Sequence, residues 1–280
     1  MNTKSDIFFP MLSAEKRSTL FSVDIKSKKV KVASRIPFLK VEKEILRDIC
    51  FDINEGTLVA LIGTAGSGKS TLAQCIYGQD VSGITGHIQY RGVSLAGGAY
   101  VHKSATGYFA NFCTFRDTIR NTLSERAQVR YGNDLSSDEI RYIVYQTMLI
   151  LDLNALADVP PSRLNGYDHL MLALGCELIN GRSVIFLDDF AQGLRPSLAE
   201  KFTAKLKELS VERGITFIVI PHDLAEIAYY DQLIILGKVN EVGRQFFTGS
   251  VCDAIERFGV DKISEIFPLI ESTPEKFISI

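Results

Sequence analysis

Residues 57–71 read TLVALIGTAGSGKST, and this is the stretch that decides the fold. It begins with an apolar run of the kind that forms a buried parallel strand. The run leads into the spacing Gly63-x-x-x-x-Gly68-Lys69-Ser70, which is typical of a loop that binds phosphate groups. The residues after Ser70 can form a helix. The stretch therefore predicts a strand, a glycine-rich loop and a helix, in that order.

The chemistry of phosphate binding explains this spacing. Glycines let the backbone curl until successive N–H groups point at phosphate oxygens, and the start of the helix adds partial positive charge at the same place. Lys69 is predicted to reach the β- and γ-phosphates of a nucleotide, and Ser70 to place its hydroxyl on Mg2+. The competing interpretation is a Gly/Ser-rich turn that carries Lys-Ser by chance. The predicted nucleotide-binding residues here are Gly63, Thr64, Ala65, Gly66, Ser67, Gly68, Lys69, Ser70 and Thr71.

A second apolar strand, predicted over residues 183–189, ends in Asp188 and Asp189. A buried strand with a carboxylate at its C-terminal end is the second element of a nucleotidase with such a loop. Asp188 is predicted to hold Mg2+, and Asp189 to lie beside the attacking water. The alternative is a strand followed by an aspartate that only caps the next helix.

The order of segments predicts an α/β fold with a parallel sheet. The residues between 113 and 180 are predicted to be mostly helical, and Ser136-x-x-Glu139 has the pattern of a capping box. Further helices are predicted over 168–180 and 197–210. Strands are predicted over 20–25, 29–33, 45–53, 58–62, 87–90, 183–189, 216–220 and 233–236.

Composition narrows the functional classes. The formal net charge is −2, which gives no reason to expect a nucleic-acid partner. The cysteines Cys50, Cys75, Cys113, Cys176 and Cys252 are scattered, which favours a reducing compartment. No apolar run approaches the roughly 20 residues that span a bilayer. Residues 26–40 are basic, which indicates a solvated strand face or, alternatively, contact with acidic headgroups.

Other motifs follow in the order and spacing of one family. Val41-Glu-Lys-Glu-Ile-Leu46 precedes the loop, Thr118-Ile-Arg-Asn-Thr-Leu123 follows it, and Phe186-Leu-Asp-Asp189 comes later. His222 falls at the position of a switch histidine, and Phe247-Thr-Gly249 follows the last core strand. Residues 41–280 thus resemble the nucleotide-binding domain of an ABC transporter, and within that class the G subfamily of white and multidrug-resistance transporters.

The resemblance implies a P-loop NTPase of RecA-like fold, with a mostly parallel sheet core, an antiparallel β subdomain and a helical subdomain at about 112–175. It implies ATP and Mg2+ as ligands, with Ser70 and Asp188 on the metal. Asp189 would be the catalytic base, His222 would contact the γ-phosphate, and Asn111 would take the Q-loop position. ABC domains work as head-to-tail dimers in which a signature motif of one domain covers the ATP of the other. Here that signature motif contains Asn165 and Gly166.

Several positions depart from the family pattern. Asn165 replaces a serine and Tyr167 a glycine in the signature, and the Tyr167 ring is expected to obstruct the close approach of a partner. Arg195 replaces an aspartate in the D-loop, while Asn111 and Asp189 are each one methylene shorter than the family residue. The aromatic residue that stacks on adenine has only two candidates, Phe21 and Phe38.

We therefore expect an arm over residues 1–19, an ABC domain over 20–270 and the start of a linker over 271–280. The expected function is binding and slow hydrolysis of Mg-ATP, which drives transport by an attached membrane domain, in an asymmetric dimer at the cytoplasmic face of a membrane. The partners would be a non-identical second ABC domain and a transmembrane domain beyond Ile280. Two alternatives stay open. One is a regulatory module that binds nucleotide with little turnover, and the other is a soluble ABC ATPase that is not part of a transporter.

Overall fold

The computed structural model describes residues 18–33, 40–95, 106–109 and 117–277. Its strands within these ranges form one sheet of ten in the order β5-β4-β1-β2-β10-β9-β3-β8-β7-β6. The strands are β1 Thr19–Ala33, β2 Lys40–Asn54, β3 Leu58–Gly63, β4 Ile84–Tyr90, β5 Val93–Ser94, β6 Thr106–Phe109, β7 Val184–Asp188, β8 Thr216–Ile220, β9 Gln232–Val239 and β10 Val242–Gly249.

The helices surround this sheet and connect most of its parallel strands, as the alternation in the sequence predicts. They are α1 Lys69–Tyr77, α2 Ile119–Tyr131, α3 Ser137–Ile150, α4 Gly166–Ile179, α5 Pro196–Arg213, α6 Val251–Phe258, α7 Ile266–Ser272 and α8 Pro274–Phe277. The predicted capping box is present, because the Ser136 hydroxyl accepts from the Glu139 N–H and the Glu139 carboxylate accepts from the Ser136 N–H. None of the helices in the described ranges is long and apolar enough to span a membrane.

The parallel part of the sheet is buried on both faces. Strand β3 pairs with β8 on one side and β9 on the other, and β7 pairs with β8 and β6, all in parallel. Along β3, Leu58, Ala60 and Ile62 face one hydrophobic core, while Val59 and Leu61 face a second. The continuous apolar run before the loop thus fills two cores by simple alternation.

The antiparallel layer differs from the prediction in one detail. The sequence predicts two strands over 20–25 and 29–33, but the structure has the single strand β1, Thr19–Ala33. The register of β1 shifts between Ile25 and Ser27 against β4, and between Lys28 and Lys29 against β2. The polar interruption in the sequence therefore marks two irregularities within one strand.

Lys28 is also not on a solvated face. Its side chain is fully buried, and its Nζ donates to the Ser82 carbonyl at 2.6 Å and the Asp80 carbonyl at 3.1 Å. It also lies 2.9 Å from Asp80 Oδ2. The ammonium group has three donors, and all have acceptors here. Lys28 therefore ties β1 to the segment that follows α1.

We predict that Lys28→Met lowers the free energy of unfolding by about 2–3 kcal/mol, measured by urea denaturation. Removing one partner of a fully buried pair costs about 3–5 kcal/mol, and the partial exposure of Asp80 reduces this. Lys26→Met is the control, because Lys26 lies on the same strand with its side chain 65% exposed. An equal shift of the urea midpoint in both variants would contradict the structural role of Lys28.

The C-terminal stretch where a linker was expected contains the end of α7 and helix α8. The Phe277 ring lies 5.0 Å from the ring of Phe258 on α6. Residues 278–280 and most of the expected arm, residues 1–17, lie outside the described ranges.

Candidate functional site

The phosphate loop connects β3 to α1 in a form that only glycine allows at its two ends. A Cβ added to Gly63 would lie 2.2 Å from the Leu236 carbonyl oxygen, which is a backbone atom of β9. Gly68 has φ +88°, and a Cβ there would lie 2.5 Å from Leu46 Cδ2. Both ends of the loop are thus packed against strands of the sheet, β9 at Gly63 and β2 at Gly68.

Lys69 lies across this loop. Its Nζ donates to the carbonyl oxygens of Gly63 and Thr64, both at 2.9 Å. An ammonium group has three donors, so one remains for a phosphate oxygen. Burial lowers the pKa of Lys69, and the nearby carboxylate of Asp188 acts in the opposite direction. The loop lysine therefore lies within electrostatic range of the Asp188 carboxylate.

The remaining loop residues suit a phosphate ligand. The hydroxyls of Thr64 and Ser67 are buried and have no hydrogen-bond partner among the described residues. Ala65, Gly66 and Ser70 are exposed, and Thr71 is half-buried. Hydroxyl and carboxylate oxygens are the ligands that Mg2+ prefers. Ser70 and Asp188 fit that role, and the unpartnered hydroxyls fit an anion beside them.

Two adjacent strands, β7 and β8, bring the predicted catalytic residues Asp189 and His222 to the same edge of the sheet. Asp188 pairs with Ile220 in the register of β7 with β8, so the carboxyl ends of these strands coincide. Asp189 follows with φ +51°, a left-handed conformation that aspartate tolerates better than most residues. Its N–H donates to the Ile220 carbonyl at 3.1 Å.

Asp189 and His222 are in direct contact. Asp189 Oδ1 lies 2.8 Å from His222 Nδ1, and both side chains are about half exposed. The sequence predicts both residues at the site but does not predict this hydrogen bond. The available signal was that each residue follows a predicted strand of one parallel sheet.

The predicted signature motif begins helix α4. Asn165 Oδ1 accepts from the Asp168 N–H at 3.0 Å, and Asp168 Oδ2 accepts from the Asn165 N–H at 3.4 Å, which forms a capping box. A Cβ added to Gly166 would lie 2.9 Å from Leu194 Cδ2. Leu194, which precedes Arg195 in the predicted D-loop, therefore packs against the predicted signature motif.

The expectation that the Tyr167 ring blocks a partner is wrong. Tyr167 is 8% exposed, and its ring lies 6.5 Å from that of Phe202 and 4.9 Å from Lys201 Nζ, both on α5. Burial raises the pKa of the Tyr167 hydroxyl. The side chain turns inward because the first turn of α4 places this position over α5, so the ring fills the core.

Three other candidates are not part of the described site. Asn111 and Phe38 lie outside the described residues. Phe21 is fully buried, and its ring packs against those of Tyr90 and Phe186. Phe21 is therefore a core residue and is not available to stack on adenine.

Comparison with known proteins agrees with this geometry. The sequence matches the family profile described as ABC transporter over residues 46–192, more than half of the chain. It is 28% identical over 215 residues to the energy-coupling factor transporter ATP-binding protein EcfA1 of Lacticaseibacillus paracasei, covering 73% of this chain and 74% of that protein. It is 28% identical over 204 residues to the spermidine/putrescine import ATP-binding protein PotA of Methylococcus capsulatus, covering 71% of this chain and 51% of that protein.

A solved structure supports the fold. The cbiO1 protein of Clostridium perfringens, described as part of the ABC transporter complex cbiONQ, superposes with a TM-score of 0.70 at 21% identity and covers 91% of this chain and 100% of that chain. The chain belongs to the ABC transporter family, and it carries the ATP-binding, P-loop ATPase domain of that family. It spans 40% and 51% of the length of two curated relatives.

Proposed function

We propose that this domain binds Mg-ATP at the 63–71 loop and hydrolyses it slowly when a second ABC domain closes over the nucleotide. The observation that carries the proposal is the meeting of Lys69, Asp188 and the Asp189–His222 pair at one edge of the sheet. Bound Mg2+ would neutralise charge on the phosphates between Ser70 and Asp188. The resemblance links such hydrolysis to a membrane domain, and we place the protein at the cytoplasmic face of a membrane.

The Asp189–His222 pair supplies the proton chemistry in this proposal. Asp189 accepts the proton of the attacking water, or positions that water, and His222 holds the carboxylate through the 2.8 Å contact. The carboxylate of aspartate is about 1.5 Å, one C–C bond, short of the reach of a glutamate. A displacement of about 1 Å can cost about 100-fold in rate, so we expect slow turnover.

We further propose that the partner domain is non-identical. Arg195 lies exposed at the N-terminus of α5, without a side-chain hydrogen bond to that helix. A positive charge there is opposed by the helix dipole, so the chain itself gains nothing from it. A second copy of the chain would bring the same patch with the same cation. A partner with an acidic residue facing Arg195 would complement it.

Asn165 supports the same division of roles. Its Oδ1 is used in capping α4, which leaves the side-chain NH2 group of Asn165 to face a partner's nucleotide. The family residue is a serine, so this chain would offer its partner an amide donor in place of a hydroxyl. Its own phosphate loop, residues 63–71, keeps the family pattern. The G-type assignment is also a proposal, and it rests on the motifs near Thr118 and Phe247.

Light scattering with ATP and Mg2+, together with phosphate release, tests the pairing. The wild-type domain alone is expected to bind ATP yet stay monomeric, whereas Asn165→Ser with Arg195→Asp is expected to form a homodimer. Tyr167 is left in place because its removal would open a cavity against Phe202. Arg126→Asp on α2 repeats the charge change away from the D-loop and should stay monomeric. A tight, active wild-type homodimer would overturn the non-identical partner.

The regulatory alternative is favoured by one observation, the aspartate at position 189 in place of a longer glutamate. It predicts ATP binding and dimer formation with no phosphate release above background. Addition of a related ABC domain with an intact Ser-Gly-Gly signature distinguishes the regulatory module from the slow ATPase. Turnover that appears with that partner supports the ATPase, and its absence supports the regulatory module.

A further inference from the structure

We propose that the junction of β2 and β10 is the element that positions the phosphate loop, with Gly243 as its positioning residue. This proposal rests on the proposed function, because it concerns the same nucleotide site. Gly243 was not singled out by sequence analysis, and it lies far from the loop in the chain.

The contact is between backbones. A Cβ added to Gly243 would lie 2.1 Å from the Ser67 carbonyl oxygen and 2.9 Å from its carbonyl carbon. Real Cβ atoms essentially never come within 3.0 Å of another heavy atom. Since Ser67 is fully buried and the clashing atoms belong to the backbone, no side-chain rotation can relieve the contact. Any side chain at 243 must move the loop or the strand.

Gly243 lies at the point in the sheet where the antiparallel layer meets the parallel core. Gly243 pairs with Leu46 where β10 joins β2 in parallel, and this pairing connects the antiparallel layer to the parallel core. Leu46 in turn fills the space beside Gly68, where an added Cβ would lie 2.5 Å from Leu46 Cδ2. The second half of the loop therefore rests directly on the junction between the two halves of the sheet.

As a consequence, the position of the β2–β10 junction determines the position of the loop N–H groups that would donate hydrogen bonds to phosphate. Phosphate binding requires these donors at hydrogen-bond distance, so a displaced Ser67 carbonyl misplaces the peptide units on both sides of it. By the same link, a bound nucleotide that fixes the loop also fixes the β2–β10 junction.

The first test is Mg-ATP affinity of the full chain, measured by titration calorimetry. Gly243→Ala is expected to weaken binding by at least about tenfold, the loss of one hydrogen bond to a charged group. The matched control is Gly86→Ala on β4, where an added Cβ would lie 2.1 Å from the Asp24 carbonyl oxygen of β1. Four strands separate β4 from β3 and its loop, so this equal backbone clash should lower the unfolding midpoint and leave affinity within about twofold.

Hydrogen exchange of the wild-type chain tests the same link without depending on any variant. Mg-ATP is expected to slow exchange at amides 45–47 and 243–245. Unchanged exchange there, wild-type affinity in folded Gly243→Ala, or an equal loss of affinity in Gly86→Ala would each overturn the proposal. If the wild-type chain bound no Mg-ATP at all, the proposed function itself would fail, which separates the two.

Discussion

Asp189→Asn is expected to slow ATP hydrolysis about 100-fold, the lower part of the range for removal of a general base. Asparagine is isosteric with aspartate and tolerates the left-handed backbone found here, φ +51°. The change therefore removes the basic oxygen while keeping the geometry beside His222. Phosphate release in the presence of a competent partner domain, at one ATP concentration for all variants, is the measurement.

Two comparisons make this result specific to the base. Asp223→Asn removes a neighbouring exposed carboxylate, whose Oδ1 accepts from the N–H of the next residue, Leu224. This variant should turn over ATP at a rate near that of the wild type. Asp189→Glu restores the reach of the family residue and should raise turnover. If Asp189→Asn hydrolyses ATP at the wild-type rate, Asp189 is not the base, and the regulatory interpretation becomes the better one.

Lys69→Ala is expected to weaken Mg-ATP binding by at least about 1.5 kcal/mol, the lower range for a hydrogen bond to a charged group. The variant removes the cation that lies across the loop and leaves the loop backbone in place. Displacement of a fluorescent nucleotide by ATP measures the change. Lys205→Ala is the control, because Lys205 is also largely buried but pairs with Glu208 on α5. Equal affinities of Lys69→Ala and wild type would exclude the loop as the phosphate site.

The sequence was informative where structure is set locally. The apolar run of β3 and the glycines at 63 and 68 predict a strand, a loop and a helix, and the structure confirms all three. The parallel arrangement was also predicted, because neighbouring parallel strands need crossover connections, which are usually helices. From it comes the position of Asp188, Asp189 and His222 at one edge of the sheet.

The sequence was misleading where contacts come from distant segments. Tyr167 looked like an obstruction because its position was compared with a glycine, but packing against Phe202 turns the ring inward. Lys28 looked solvated because its neighbours are basic, but it is buried and donates hydrogen bonds to the carbonyl oxygens of Asp80 and Ser82. Gly243 carries no local pattern that relates it to Ser67, since their contact exists only once the sheet has formed.

If the 63–71 loop binds the phosphates of ATP, the affinity of the wild-type chain must depend on the number of phosphates, and titration with a series of adenine nucleotides measures this dependence. Calorimetry with ATP, ADP, AMP and adenosine in the presence of Mg2+ isolates the contribution of each phosphate. Saturable binding at one site is expected for ATP and for ADP. For AMP, affinity should be at least about tenfold weaker, because Lys69 and the loop N–H groups would lose the β- and γ-phosphates. Equal affinity for ATP and AMP, or no saturable binding of ATP, would contradict phosphate binding by the 63–71 loop.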